Sequence, residues 1–405
     1  MGSPLMSLRS KSEFTLDEIK KGVDFVKKHN KKFYLTLNLF SHNSDIQNLP
    51  LFVDFFKEVE PNGVLVADPG VFMYLKEQLP NLPLHISTQA NVCSWISVDF
   101  WQKQGADLCV LAREVSFDEL KEIKEKCPNI KLEAFIHGAM CMTYSGRCLL
   151  SNFMAERGSN QGSCAHSCRW NYKLNIKINE DRYYELVVND SNKNLFDFAL
   201  EEEFRPGEYY PIEEDNKGSY ILNSKDLCLM PVLKDYLDIG IDTLKIEGRH
   251  KSEYYVAVTT KTYRKAIDDY YNNPEKWNYK PYMQELYTLA NRGYTTAFHN
   301  GRLTNLAHNY ATSKSLSINL FAGVVLETLE EYFVVLVKNH LEVGDVLEFI
   351  TPSNDIIRLR LYEFTLHPSN EVVTKVSAGS KNSFIRIPYN LFHNEDINKL
   401  KELIP

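Results

Sequence analysis

Across roughly the first 250 residues, short apolar runs alternate with amphipathic segments, and few folds accept that rhythm. The runs are FYLTLNLF (33–40), GVLVADPG (63–70), LPLHISTQA (82–90), ADLCVLARE (106–114), KLEAFIHGA (131–139) and IDTLKIEGR (241–249). Each is nearly continuous in apolar residues, as a strand buried on both faces of a parallel sheet must be. Between them stand LDEIKKGVDFVKKHN, FDELKEIKEKC and similar stretches with apolar residues at helical spacing. The strand ends separate the two architectures that fit. The runs stop at Asn38, Asp68, Thr88 with Gln89, Arg113 with Glu114, His137 with Gly138, and Glu247 with Arg249. Polar groups at the C-terminal ends of successive strands are what a (β/α)8, TIM-like barrel presents at its catalytic face. A doubly wound sheet would gather them at one switch point, often beside a glycine-rich phosphate turn, and no such sequence is present. The expectation is an α/β chain of the barrel type.

Only six good barrel strands can be counted, with YILNSKDLC (220–228) as a seventh that follows a long irregular excursion. From about residue 315 the pattern changes to alternation of period two: GVVLET, YFVVLVKN, GDVLEFITP, IIRLRLYEF and SFIRIP. That is the signature of a small antiparallel β-barrel. The expected organisation is therefore a barrel over 1–310, interrupted by a cysteine-rich insert over 140–228, and a β-domain over 315–405.

Five of the eight cysteines surround the insert: Cys141, Cys148, Cys164, Cys168 and Cys228. A core does not need sulfur at such spacing, whereas zinc and iron–sulfur clusters do. No apolar run is long enough to span a membrane and the N-terminus lacks a signal-peptide core. The expected compartment is cytoplasmic, where disulfides are disfavoured. Cys93, Cys109 and Cys127 lie in or beside apolar segments and read as buried small hydrophobes. A net charge of −7 argues against a broadly basic nucleic-acid surface and leaves room only for a local one.

Several ordered stretches carry a family resemblance: STQANV (87–92), FIHGAMCMTYSGRCLLSNF (135–153), RGSNQGSCAHSCRW (157–170), RPGEYYPIEEDNKGSYILNSKDLC (205–228), LKIEGRHKSEYYVA (244–257) and NRGYTTAF (291–298). With these the chain resembles the peptidase U32 family. The resemblance implies one of three activities: collagenase-like proteolysis, RNA hydroxylation with an iron–sulfur cluster, or oxygen-independent hydroxylation in ubiquinone synthesis. SGRCLLSNF, NQGSCAHSCRW and NSKDL are most similar to the tRNA uridine hydroxylation branch, which implies tRNA as substrate and a small carboxylate such as prephenate as co-substrate. The resemblance also implies a first β–α–β unit that this chain lacks.

On this basis Cys141, Cys148 and Cys164 are the expected ligands of a 4Fe-4S cluster, with Cys168 or Cys228 as the fourth; zinc is the alternative, though a C-x6-C interval is unusual for zinc ribbons. His137 could act as a general base, as a donor to the cluster ligands or as a substrate contact. Glu247 and Arg249 could grip a carboxylate or phosphate, the plain alternative being an internal ion pair. Gln89, Asn91, Asp68 and Arg113 are further substrate-binding candidates. No HExxH or GxSxG supports proteolysis. The rival readings are a U32 peptidase and a zinc-stabilised binding module.

Overall fold

The computed structural model describes residues 2, 4, 6–7, 14–140, 154–155, 167, 175–179, 182–185, 198–201, 209–215, 218–220, 224–249, 251–301, 319–351, 356–379 and 383–392. The chain divides into two compact units, 1–250 with 291–316, and 251–290 with 317–405. The helical stretch after residue 250 thus groups with the C-terminal strands.

In the first unit all six apolar runs form strands. β1 (Tyr34–Leu37), β2 (Gly63–Val66), β3 (Leu84–Ile86), β4 (Leu108–Val110) and β5 (Lys131–Gly138) follow one another as parallel neighbours. Every residue of β2, β3 and β4 is buried, which explains why these runs lack polar alternation. Helices follow where capping signals stand. α1 (Leu16–Lys28) opens with a capping box between Thr15 and Glu18 and buries Ile19 and Val23. After α2 (Asn43–Ile46), α3 (Leu49–Val59) buries Phe52 and Phe56. α4 (Pro69–Gln78) is capped by Asp68, α5 (Trp95–Lys103) by Ser94, and α6 (Phe117–Lys126) by a Ser116–Glu119 capping box.

Polar side chains just ahead of the strands set the spacing of the ladder. Asn62, before β2, accepts from the Phe33 amide at 2.7 Å; Asp107, before β4, accepts from Leu84 at 2.9 Å. Each satisfies an amide that would otherwise be lost at a strand start.

Beyond β5 lie β6 (Asn175–Asn179), β7 (Arg182–Glu185), β8 (Phe198–Glu201), β9 (Tyr209–Asp215) and β10 (Gly218–Tyr220), forming the antiparallel sets β6–β7 and β8–β9–β10. β11 (Asp226–Cys228) then pairs antiparallel with the end of β5. After α7 (Leu233–Asp238), β12 (Thr243–Ile246) pairs parallel with β5, its preceding Asp242 accepting from the Leu132 amide at 3.0 Å. β13 (Tyr294–Thr295) joins β11 in parallel. The unit is a mixed α/β sheet, mostly parallel as expected. The seventh strand is the difference: β11 runs against its neighbour. Among the described residues no ladder joins β1 to β12, and Gly2 bridges Thr36 on β1 instead.

Among the described residues the second unit holds α8 (Glu253–Asn272), α9 (Lys280–Tyr287) and eight short strands: β14 (Gly323–Thr328), β15 (Tyr332–Val337), β16 (His340–Glu342), β17 (Val346–Ile350), β18 (Ile356–Arg360), β19 (Thr365–Leu366), β20 (Lys375–Ser377) and β21 (Phe384–Pro388). Three tyrosines of α8 serve packing, Tyr255, Tyr263 and Tyr270 being buried, whereas Tyr271 is exposed. The strands form three antiparallel sheets around one core of Phe333, Val335, Leu359, Phe364, Ile385 and Ile387. The VGD sequence is the tight turn its residues predict, with Gly344 at φ +105°.

Candidate functional site

β5 is the longest strand of the parallel ladder, and its last residues meet three distant segments. His137 is fully buried there. Its carbonyl accepts from the Glu247 amide at 2.9 Å, and its ring lies 5.4 Å from that of Tyr294. Cys228 stands opposite His137 in the antiparallel ladder and is 1% exposed. Gly138 follows with φ +131°, and a Cβ there would lie 2.7 Å from that of Glu247. Only glycine permits so close an approach in that backbone conformation. Glu247 turns its Oε1 back to the Arg249 amide at 3.1 Å, and Arg249 Nη2 donates to Ser7 at 3.2 Å.

At the first residue of β11, a buried ion pair ties this corner together. The Asp226 carboxylate accepts from the Arg292 guanidinium and, at 3.2 Å, from the Arg292 amide. Both side chains are about 95% buried. The pair bolts β11, which carries Cys228, to β13, which carries Tyr294. Sequence reading missed both partners, although Asp226 is a charge set inside the possible strand YILNSKDLC.

A second group surrounds a small solvent-open recess. Arg113, just past β4, places its guanidinium carbon 3.7 Å from the centroid of the Phe135 ring, a cation–π contact. The recess is also lined by Tyr236 and His299, whose Nδ1 is 3.4 Å from the tyrosine hydroxyl. Burial holds the His299 imidazole below its ordinary pKa, against the opposing pull of Asp235 at 3.4 Å. Burial likewise pushes the Glu114 carboxyl up, and the Tyr236 phenol well up.

The remaining candidates sit on the β2–β3 rim. Asp68 Oδ1 accepts from the amides of Gly70 and Val71 at 2.8 and 3.0 Å, which makes it the cap of α4. Asn91 adopts the left-handed conformation at φ 54° and accepts from the Cys93 thiol at 3.7 Å. Gln89 is 8% exposed, and its Oε1 is buried without a hydrogen-bond partner among the described residues. The structure thus gathers His137, Glu247 and Cys228 in one corner and leaves Asp68, Gln89 and Asn91 in another.

Of the five predicted sulfur ligands, Cys141, Cys148, Cys164 and Cys168 lie outside the described residues. Among the described residues no three His, Cys, Asp or Glu side chains converge as a metal site. Cys109 and Cys127 are buried, as expected of packing cysteines, and burial drives the Cys109 thiol up to about 12. Such a thiol is a poor source of thiolate. No described helix is long and apolar enough to cross a membrane.

Comparison with known proteins completes the picture. The family model for peptidase family U32 matches residues 1–309. The chain is 36% identical to tRNA hydroxylation protein P of Escherichia coli, over 88% of this chain and 82% of that protein. It is 35% identical to the Haemophilus influenzae protein of the same name, over 96% and 88%. A collagenase of Porphyromonas gingivalis is 25% identical over 93% and 86%. A solved U32 peptidase covers 60% of this chain and 80% of its own at 14% identity and a TM-score of 0.34, too distant a likeness to carry weight. The matched family model spans the whole parallel ladder and the β5 corner alike: the chain belongs to peptidase family U32.

Proposed function

We propose that this chain is a tRNA hydroxylation enzyme, acting on the wobble uridine to add oxygen at C5. The observation that carries this reading is identity of 35–36% to two proteins named for tRNA hydroxylation, each matched over most of its length. The Porphyromonas collagenase is the more distant relative, which ranks proteolysis second.

An iron–sulfur cluster would be held by Cys141, Cys148 and Cys164, with Cys168 or Cys228 as fourth ligand. The donor set suits it: the ligands are thiols, and Cys228 is shielded from water beside a buried imidazole. When bound, such a cluster supplies one-electron redox chemistry. Around it, the Asp226–Arg292 pair fixes the strand that presents Cys228. His137 shields that strand's inner side, and Gly138 lets the Glu247 turn close over it. Arg113 offers a cation at the recess to a carboxylate co-substrate such as prephenate.

The test is expression in cells deprived of their own relative, followed by mass spectrometry of tRNA nucleosides. A uridine one oxygen heavier, absent with Cys141→Ala, is expected. Unchanged tRNA together with cleavage of gelatin by the purified protein would replace this reading with the peptidase.

A further inference from the structure

We infer that the outer face of α1 and the turn after it form a docking track for the RNA phosphate backbone, with Phe25 as a stacking post. The inference rests on the tRNA reading and adds to it a surface that none of the candidate residues touches.

The chain is acidic overall, yet residues 25–44 hold four lysines, two histidines and no acid. Two local cations have assigned work: Lys20 pairs with Glu58, and Lys27 donates to the Val59 carbonyl at 3.0 Å. Lys28, Lys31 and Lys32 are exposed, and among the described residues no carboxylate lies within 4.0 Å of them. Of the acids of α1, Glu18 is engaged in the capping box, Asp17 lies a turn before Lys21, and Asp24 stands between Lys21 and Lys28. Lys21 continues the basic side chains up the helix, about 10 Å from Lys28 at about 1.5 Å per residue, and Lys31 and Lys32 follow beyond the helix end.

In the middle of these cations Phe25 is 63% exposed. Its ring lies 4.4 Å from that of His29, whose Nδ1 is 2.8 Å from the Phe25 carbonyl. That contact stiffens an aromatic platform without burying it. Cations that neutralise phosphates, interleaved with an exposed ring on which a base can stack, are the components of single-stranded RNA binding. An acidic protein would match the lysines but would leave the exposed ring unused.

α1 leads into the start of β1, so its lysine-rich end lies at the edge of the sheet opposite the strand C-termini. The track therefore positions the RNA and takes no part in the chemistry.

The experiment is binding of full-length chain to a labelled, unmodified tRNA transcript over a salt series. Wild type is compared with Lys28→Glu/Lys31→Glu, Phe25→Ala and, as a charge control, exposed Lys375→Glu. The double variant is expected to bind about tenfold or more weakly, with a salt slope shallower by about 1.5. Phe25→Ala should weaken binding about fivefold or more with the slope unchanged. Wild-type affinity and slope in the double variant would overturn the track and leave the tRNA reading intact. So would an equal loss in Lys375→Glu, because net charge alone would then explain it. A wild-type chain that binds no tRNA would overturn both.

Discussion

The two rims of the parallel ladder use polar residues in opposite ways. On the β2–β3 side Asp68, Ser87 and Asn91 each serve the turn or helix in which they stand, although Ser87 also accepts from Asn38. Asp68 caps the helix that starts one residue later, Ser87 caps the turn containing Gln89, and Asn91 closes that turn in the left-handed region. At the β5 corner the partners are far apart in sequence: Asp226 with Arg292, His137 with Glu247, Cys228 with His137. Local satisfaction is cheap to encode and changes little when lost. Long-range pairing buries charge and depends on several segments arriving together, which is where a chain can hold reacting groups rigidly.

This contrast ranks the effects of substitution. The largest belongs to Asp226→Ala, which strands the Arg292 charge in a buried site. A loss of about 3–5 kcal/mol is expected by urea unfolding. Stability equal to wild type would mean that the ion pair does not hold the corner. Gly138→Ala comes next: a methyl group meets Glu247 in a conformation L-residues avoid, for a loss of about 1–3 kcal/mol. Thermal unfolding monitored by circular dichroism measures it, and a silent substitution would show that the Glu247 turn yields easily.

Asp68→Ala tests the local rim. Loss of a helix cap should cost about 1 kcal/mol and leave tRNA affinity untouched. A drop in affinity at unchanged stability would instead make Asp68 a ligand contact and erase the contrast. The smallest effect concerns pH. The folded-state pKa of His299 is held below its ordinary 6.5 by burial, so the folded chain binds fewer protons than the unfolded one. Its contribution to stability is present above the ordinary value and is lost as pH falls through that value toward the folded pKa. His299→Gln should flatten the decline of melting temperature below pH 6.5, leaving the part due to His85, which burial depresses in the same way. An unaltered pH profile would remove His299 from the account.

Much of the fold is legible because parallel strands buried on both faces write themselves as apolar runs; β2, β3 and β4 fall inside the runs that predict them. The capping boxes at Thr15 and Ser116 likewise announce α1 and α6. The orientation of β11 is not legible. NSKDLC has the composition of either a parallel or an antiparallel strand, and its direction follows from the excursion that returns the chain to β5. Asp226 and Arg292 escaped notice for a related reason: separated by 66 residues, neither carries a local sign of the other.

Sequence alone therefore determined the largely parallel α/β ladder and the family, since periodicity and motif order are local properties of the chain. Tertiary structure alone decided that His137 and Cys228 share a ladder, that Asp226 needs Arg292, and that Asp68 is a cap. Those outcomes depend on which distant groups must satisfy one another once water is excluded, and burial is a property of the folded chain as a whole.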